Sequence, residues 1–395
     1  RMINLCSQSE FLAQQMASFP LLLDELNDTE LLNNLPTRES IAHDLQFKLD
    51  RSDAQDEERE VELLCEFQRI VMFRIAVADL SGLLPLMKVS DRLTDLAELI
   101  VARALKIAWK RAVALHGLPR YGASEKDAHV AGVVVVAYGK FGGIELGYGS
   151  DLDLVFLHDS EGAYQQTVGD NSIDNAVFFA RLGQRLMHLL TTHTRAGRLY
   201  EVDIRLRPSG KGGLLVQGLQ RFDEYQRKEA WTWEHQALIR ARAVAGDVHV
   251  MEAFEQIRMT ILREAIKRDT LKEEVRKMRQ RMREELSKAK PGQFDLKQDA
   301  GGIADIEFLV QYWMLKWADE FPPIILFTDN IRQLESLASG NIVSQTTVDF
   351  LTLTYRKYRE RIHHLSLAGG SNVIGDDEFM EERNKVIEIW NEVME

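Results

Sequence analysis

The chain has 395 residues, of which 45% are hydrophobic and 28% charged, enough for two or three domains of roughly 150 residues with their own cores. This balance excludes a disordered or low-complexity chain, no apolar run reaches the ~18 residues of a membrane-spanning helix, and a formal net charge of −12 opposes the basic footprint of a nucleic-acid binder. Two cysteines, Cys6 and Cys65, are too few for a disulfide framework or a Cys-rich zinc site, and point to a reducing cytoplasm. No secretory leader is recognisable, and Arg1 in place of an initiator Met reads as a piece of a longer polypeptide.

Glycine placement divides the chain. Of 25 glycines, only Gly82 lies in the first 116 residues, whereas fifteen lie between Tyr121 and Gly218. Glycine marks tight turns and close backbone approach, so residues 1–120 are predicted to be a helical subdomain and 121–246 a domain of strands and turns. In the first region Ser7 and Glu10 have capping-box spacing. Phe67, Ile70, Val71, Ile75 and Ala78 recur at helical intervals. A helix is predicted from about Asp91 to Leu115, stopped by Gly117 with Pro119 beyond.

In the middle region Val133–Val136 form a β-branched run, the mark of a strand buried on both faces. A glycine-rich turn, Gly139-Lys140-Phe141-Gly142-Gly143, follows, and then a short helix at Ile144–Leu146. Ser150–Leu157 is the next predicted strand, Ser160–Asn175 a polar surface loop, and Asn175–Thr191 a helix through Phe178, Leu182, Leu186 and Leu190. A third strand is predicted over Leu199–Leu206, with Asp203, Arg205 and Arg207 on one face. Pro208–Gly213 reads as a turn, and Leu214–Val216 as the start of a fourth strand. From about Asp247 the chain is again helical, with Pro291-Gly292 as a break. Helical patterns resume at Ile303–Trp317, Thr346–Leu367 and Glu378–Val393. The basic excess after Arg263 reads as a solvated helix face. Trp231, Trp233 and His235 read as interdomain packing, and His363-His364 as surface or packing.

The sharpest chemical signal is Asp151-Leu152-Asp153. Residues two apart in a strand share a face, about 6.6 Å apart at Cα, and paired carboxylates repel until a cation relieves them. A hard ion such as Mg²⁺ favours a few carboxylates plus substrate phosphates. The Gly139 turn just upstream offers backbone N–H groups and Lys140 to an anion. Asp203 is the candidate third carboxylate, with Arg205, Arg207 and Lys211 available to phosphate. Taken alone, the Asp-x-Asp pair also fits two exposed polar residues, and Asp203 with its arginines also fits a surface ion-pair ladder. Asp305 and Glu307 lie early in a helix opened by Gly301-Gly302, where the helix dipole favours acids.

Gly139-Lys140, ten further residues and Asp151-x-Asp153, after a hydrophobic strand, resemble the DNA polymerase β-like nucleotidyltransferase superfamily. The chain carries Lys140 where that superfamily has Ser or Gly. The longer strings Gly139–Leu154, Tyr200–Gly210 and Gly301–Phe308 are similar to the glutamine synthetase adenylyltransferase family, across nearly the whole chain. The Gly147-Tyr148-Gly149-Ser150 run is similar to its C-terminal, adenylylating half.

The resemblance implies a helix-rich α+β fold. A nucleotidyltransferase-type mixed sheet (121–246) would lie between an N-terminal helical subdomain (1–120) and a C-terminal helical bundle (247–395). It implies AMP transfer from ATP to a tyrosine of glutamine synthetase, with Asp151, Asp153 and Asp203 holding two Mg²⁺ ions. Gly139, Lys140 and Ser150 would meet the triphosphate, and Arg205, Arg207 and Lys211 the pyrophosphate or an acidic loop of the target. It further implies regulation by the PII signalling protein and by glutamine, and a second half of the same polypeptide; the net charge and the lack of a long apolar run predict no nucleic-acid or membrane partner. For the Gly301–Phe308 motif a role at a domain joint or in glutamine sensing is the functional alternative. The competing functions are uridylyl transfer to PII, a non-catalytic metal-binding regulatory module, and a nucleic-acid polymerase.

Overall fold

The structure is a computed structural model describing residues 9–27, 35–51 and 56–395, without the side chains of Leu26, Asn27 and Lys211. In chain order the helices α1 (Glu10–Ser18), α2 (Leu22–Asn27), α3 (Arg38–Asp50), α4 (Glu57–Leu80) and α5 (Leu86–His116) come first. Then follow β1 (Leu118–Gly122), β2 (His129–Val130), β3 (Val133–Ala137), α6 (Gly139–Gly142), β4 (Leu152–His158), β5 (Tyr164–Val168), α7 (Asn175–Thr191), β6 (Val202–Asp203) and β7 (Val216–Gly218). The remainder is α8 (Leu219–Lys228), α9 (Thr232–Ile239), β8 (Arg242–Gly246), α10 (Val248–Glu264), α11 (Arg268–Leu286), β9 (Gln293–Asp295), α12 (Ile303–Trp317), α13 (Asn330–Ser339), α14 (Gln345–Leu367), β10 (Val373–Gly375) and α15 (Met380–Met394). The fold is helix-rich α+β. No described helix is long and apolar enough to cross a membrane.

The described residues form two compact units, one within 15–229 and 241–257, the other within 9–14, 230–240 and 258–395. In the first, β3 lies between β4 and β8, antiparallel to both, and β4 carries β6 and β7 in parallel on its other side. Every residue of β3 is buried, as a β-branched run covered on both faces must be. Val133, Val135 and Ala137 share one core with α3, α4, α5 and α7 through Ile41, Leu64, Leu96, Ile100, Phe178 and Leu182. Helices α3, α4, α5 and α7 thus pack on this face of the sheet, each buried aliphatic side chain contributing about 1.5–3 kcal/mol. Residue Ser7 of the expected capping box lies outside the described residues. Ser9 accepts the Leu12 N–H instead.

In the second unit α12 is central, packing on α9, α11, α13, α14 and α15. Its apolar residues face nearly all round, from Ile303 to Leu315, which suits only a buried helix. Asp305 is enclosed there. It accepts the Gly301 N–H at 2.7 Å and the Arg279 Nε–H at 2.6 Å, with Arg283 alongside. Charge pairing within the unit, beyond the helix dipole, accounts for this acid. Trp231 and Trp233 are 69% and 38% exposed, while His235 is buried. His363 is buried and His364 exposed.

Four local expectations are corrected. Ser160–Asn175 is no plain loop: Tyr164–Val168 pairs with β1 along five residues. The short helix falls at Gly139–Gly142, before Ile144–Leu146, and Ile144 adopts φ 57. The fourth strand begins at Val216, after Leu214-Leu215. The third strand is only Val202–Asp203, so Arg205 and Arg207 lie in the turn after it and share no strand face with Asp203.

Candidate active site

Strand β4 needs both sides of its backbone satisfied, and this sets the site. Leu152 and Asp153 pair with Val202 and Asp203 of the parallel β6, and the Leu152 N–H donates to Glu201 O at 2.9 Å. Asp153 and Asp203 are therefore level on strands roughly 4.8 Å apart. Asp151 is exposed just before β4, and Asp153 is partly buried at its second position. Burial pushes the Asp153 carboxyl up to about 6, helped by the negative charges of Asp151 and Asp203 and opposed by Arg205 and Lys140. All three aspartates thus act electrostatically on one point.

The turn after β3 closes over the same point. Tyr138 N–H donates to Asp153 O at 2.9 Å, which ties the end of β3 to the start of β4. Gly139 has φ +55, and a β-carbon there would overlap Asp153 Oδ2. Only glycine suits both the left-handed backbone and the carboxylate resting against it. Lys140 is exposed on the turn. Ser150 closes the loop before Asp151, its Oγ accepting the Gly147 N–H at 3.0 Å.

Beyond β6 the chain turns sharply. Asp203 Oδ1 accepts the Arg205 N–H at 2.8 Å, and Oδ2 accepts Arg205 Nε–H at 2.7 Å, with Nη2 also paired. Arg205 is 71% exposed at its side chain and Asp203 15%. Arg207 donates to Ile204 O at 2.7 Å and to Gly213 O at 3.2 Å, bracing the turn. Lys211 lies in a short 3₁₀ turn, Gly210–Gly212. The structure thus brings Asp151, Asp153, Asp203, Gly139 and Lys140 together, with Arg205 on Asp203. It gives Arg207 a bracing task and Ser150 a loop-closing one.

Among the described residues no three ligating side chains stand close enough to enclose a metal ion as they are. The donor set nevertheless fits a hard divalent cation. Its oxygens are all carboxylate, and the Asp153 carboxyl, raised first by burial and then by the charges of Asp151 and Asp203, would be held ionised by a bound cation. On Asp203 the Arg205 guanidinium already supplies positive charge. Sequence reasoning missed β8, which extends the sheet beyond β3 and sets Arg242 opposite Ala137, next to the Gly139 turn. The signal available was the short alternating run Arg242-Ala243-Val244-Ala245-Gly246.

A family model described as Glutamate-ammonia ligase adenylyltransferase matches residues 1–257, and one described as PII-uridylyltransferase matches residues 269–372. The bifunctional glutamine synthetase adenylyltransferase/adenylyl-removing enzyme of Thioalkalivibrio sulfidiphilus is 48% identical over the whole chain, which covers 41% of that relative. Relatives of the same description from Pseudomonas syringae pv. tomato and Nitrosococcus oceani are 46% and 45% identical, over 99% and 100% of this chain and 40% and 41% of theirs. The chain therefore spans about two fifths of the length of the curated relatives it matches. With a family model over more than half its length and this identity from end to end, the chain belongs to the glutamate-ammonia ligase adenylyltransferase family.

Proposed function

We propose that the chain transfers AMP from ATP to the hydroxyl of a tyrosine on glutamine synthetase, releasing pyrophosphate. The observation that carries this reading is the level placement of Asp153 and Asp203 on adjacent parallel strands against the Gly139 turn, in a chain of this family. The tyrosine oxygen bonds to the α-phosphorus as the bond from that phosphorus to the pyrophosphate oxygen breaks. A tyrosine hydroxyl with a pKa of about 10 is mostly protonated near neutrality, so its proton must be accepted as the new bond forms. We assign that proton to Asp203, the carboxylate on the outer strand. Two Mg²⁺ ions, held by Asp151, Asp153 and Asp203, would supply charge neutralisation of the phosphates and the attacking oxygen.

The remaining work is positioning. Gly139 lets the backbone and the Asp153 carboxylate approach closely, and Lys140 offers a point charge to the triphosphate. Ser150 can still donate its hydroxyl hydrogen while its oxygen accepts from Gly147. Arg205, released from Asp203, together with Arg207 and Lys211, is assigned to the pyrophosphate or to an acidic loop of the target. PII and glutamine are the proposed regulators, with the other half of the polypeptide as the neighbouring enzyme.

The test is the intact mass of glutamine synthetase after incubation with the chain, ATP and Mg²⁺. A gain of one AMP per subunit is expected. The match of residues 269–372 to PII-uridylyltransferase favours one rival, UMP transfer to PII. UTP-dependent labelling of PII with unmodified glutamine synthetase would replace the proposal by that rival.

A further inference from the structure

The segment between β3 and β4 carries every group assigned to the nucleotide's phosphates except those after β6, yet beyond Gly142 it has no regular hydrogen-bond ladder. Such a segment is mobile unless something outside it fixes it. Two side chains outside the assigned machinery do so, one at each end.

At the near end stands Arg242. Its Nε–H donates to Gly142 O at 3.3 Å and its Nη2–H to Phe141 O at 3.4 Å, which covers the last carbonyls of the Gly139 turn. Its Nη1 pairs with Glu98 Oε1 of α5 at 2.6 Å. Glu98 is buried, and its other oxygen is held by Arg38 Nη1 at 2.6 Å. The guanidinium's fixed fork thus reaches turn and helix at once, which an ammonium on a flexible stem does not reproduce. At the far end Tyr148, three residues before Asp151, donates its hydroxyl to Asp79 Oδ2 at 3.2 Å, near the end of α4. Burial and the Asp79 charge raise the Tyr148 phenol well above its usual range, so it stays a donor.

We propose that Arg242 and Tyr148 are positioning residues. They tie the two ends of the 139–151 segment to α5 and α4 and hold it in the shape that receives the triphosphate. The inference rests on the proposed nucleotidyl transfer for its ligand, and adds to it that the helical layer sets nucleotide affinity. Each tie is a hydrogen bond involving a charged group, and the loss of one corresponds to about tenfold in the equilibrium it supports.

The experiment measures ATP–Mg²⁺ affinity by calorimetry and KM for ATP in the transfer assay, with melting temperature alongside. Arg242→Lys and Tyr148→Phe are expected to weaken ATP binding and raise KM about tenfold, with kcat changed less. Asp79→Asn, which keeps an acceptor for Tyr148, is expected to retain affinity where Asp79→Ala loses it. Arg103→Gln breaks the Arg103–Glu60 pair between α5 and α4, which belongs to neither tie, and is expected to leave ATP affinity unchanged. Wild-type affinity in Arg242→Lys and Tyr148→Phe, even with lowered melting, would overturn the proposal. So would an equal loss in Arg103→Gln, which would mark the effect as general destabilisation. A wild-type chain that binds ATP but leaves glutamine synthetase unmodified would defeat the AMP-transfer reading alone. The affinity comparison would still decide the positioning role.

Discussion

Replacing Asp153 by Asn should stabilise the metal-free protein while removing the proposed AMP transfer. In the fold this carboxyl titrates near 6 against an ordinary 3.8, because burial and the charges of Asp151 and Asp203 disfavour its ionised form. A displacement of that size corresponds to about 3 kcal/mol of free energy set against the folded state once the group is ionised. The sign follows from proton counts. Between pH 4 and 6 the folded chain holds more protons at this site than the unfolded chain, so its stability falls as pH rises through that window.

Asn at 153 has no charge to lose. The variant should match the wild type below about pH 4 and exceed it by up to about 3 kcal/mol above pH 7. Buried His158, stacked on Phe179 and lowered by burial from 6.5 to about 4, has the opposite slope over an overlapping range. It is present in both proteins and cancels in the difference. The assay is thermal or denaturant unfolding of both proteins in EDTA from pH 4 to 8, repeated with Mg²⁺. With Mg²⁺ the wild type should gain stability by ligand linkage and the variant much less. A variant that is less stable than wild type at pH 8 without metal, or a gap independent of pH, would refute the electrostatic reasoning.

Other substitutions probe neighbouring parts of the account. Gly139→Ala sets a β-carbon against Asp153 Oδ2 at φ +55, and should cost about 1–3 kcal/mol of stability and about 100-fold in transfer, measured by unfolding and by the rate of AMP incorporation. Asp203→Asn should abolish transfer with a melting temperature nearly unchanged, because its partner Arg205 is largely exposed and such pairs contribute about 0–1 kcal/mol. Asp305→Asn leaves the fully buried Arg279 without its carboxylate, and should destabilise by about 3–5 kcal/mol in denaturant unfolding. The His158 ring, whose Nδ1 accepts the Ser160 N–H, should remain neutral across pH 5–7 by NMR, since its pKa lies near 4.

The sequence disclosed most clearly what hydrophobic period alone decides. Val133–Val136 and the helices at Asn175–Thr191 and Ile303–Trp317 stand where the apolar pattern put them, because their burial is set by the side chains themselves. Edge strands were harder. Tyr164–Val168 reads polar because β1, the strand it joins, forms a small sheet with little core beneath it, and only Thr167 is buried in that strand. The apparent alternation of Val202 to Arg207 misled for a different reason. Asp203 folds back on the Arg205 N–H and Arg207 holds Ile204 O and Gly213 O, so local side-chain bonds end the strand where periodicity would continue it. Asp151, Asp153 and Asp203 were legible as acids at plausible strand positions. Their convergence depends on the parallel pairing of β4 with β6, a long-range event that no local pattern encodes. The Arg242 and Tyr148 ties were invisible for the same reason, since their partners Glu98 and Asp79 lie 144 and 69 positions away.

The most direct test is a crystal of this chain grown with a non-hydrolysable ATP analogue and Mn²⁺, examined by anomalous scattering at the manganese edge. The account predicts manganese peaks bounded by Asp151, Asp153 and Asp203, with the triphosphate against the Gly139 turn. Manganese and nucleotide bound elsewhere, with Asp203 still closed on Arg205, would contradict it.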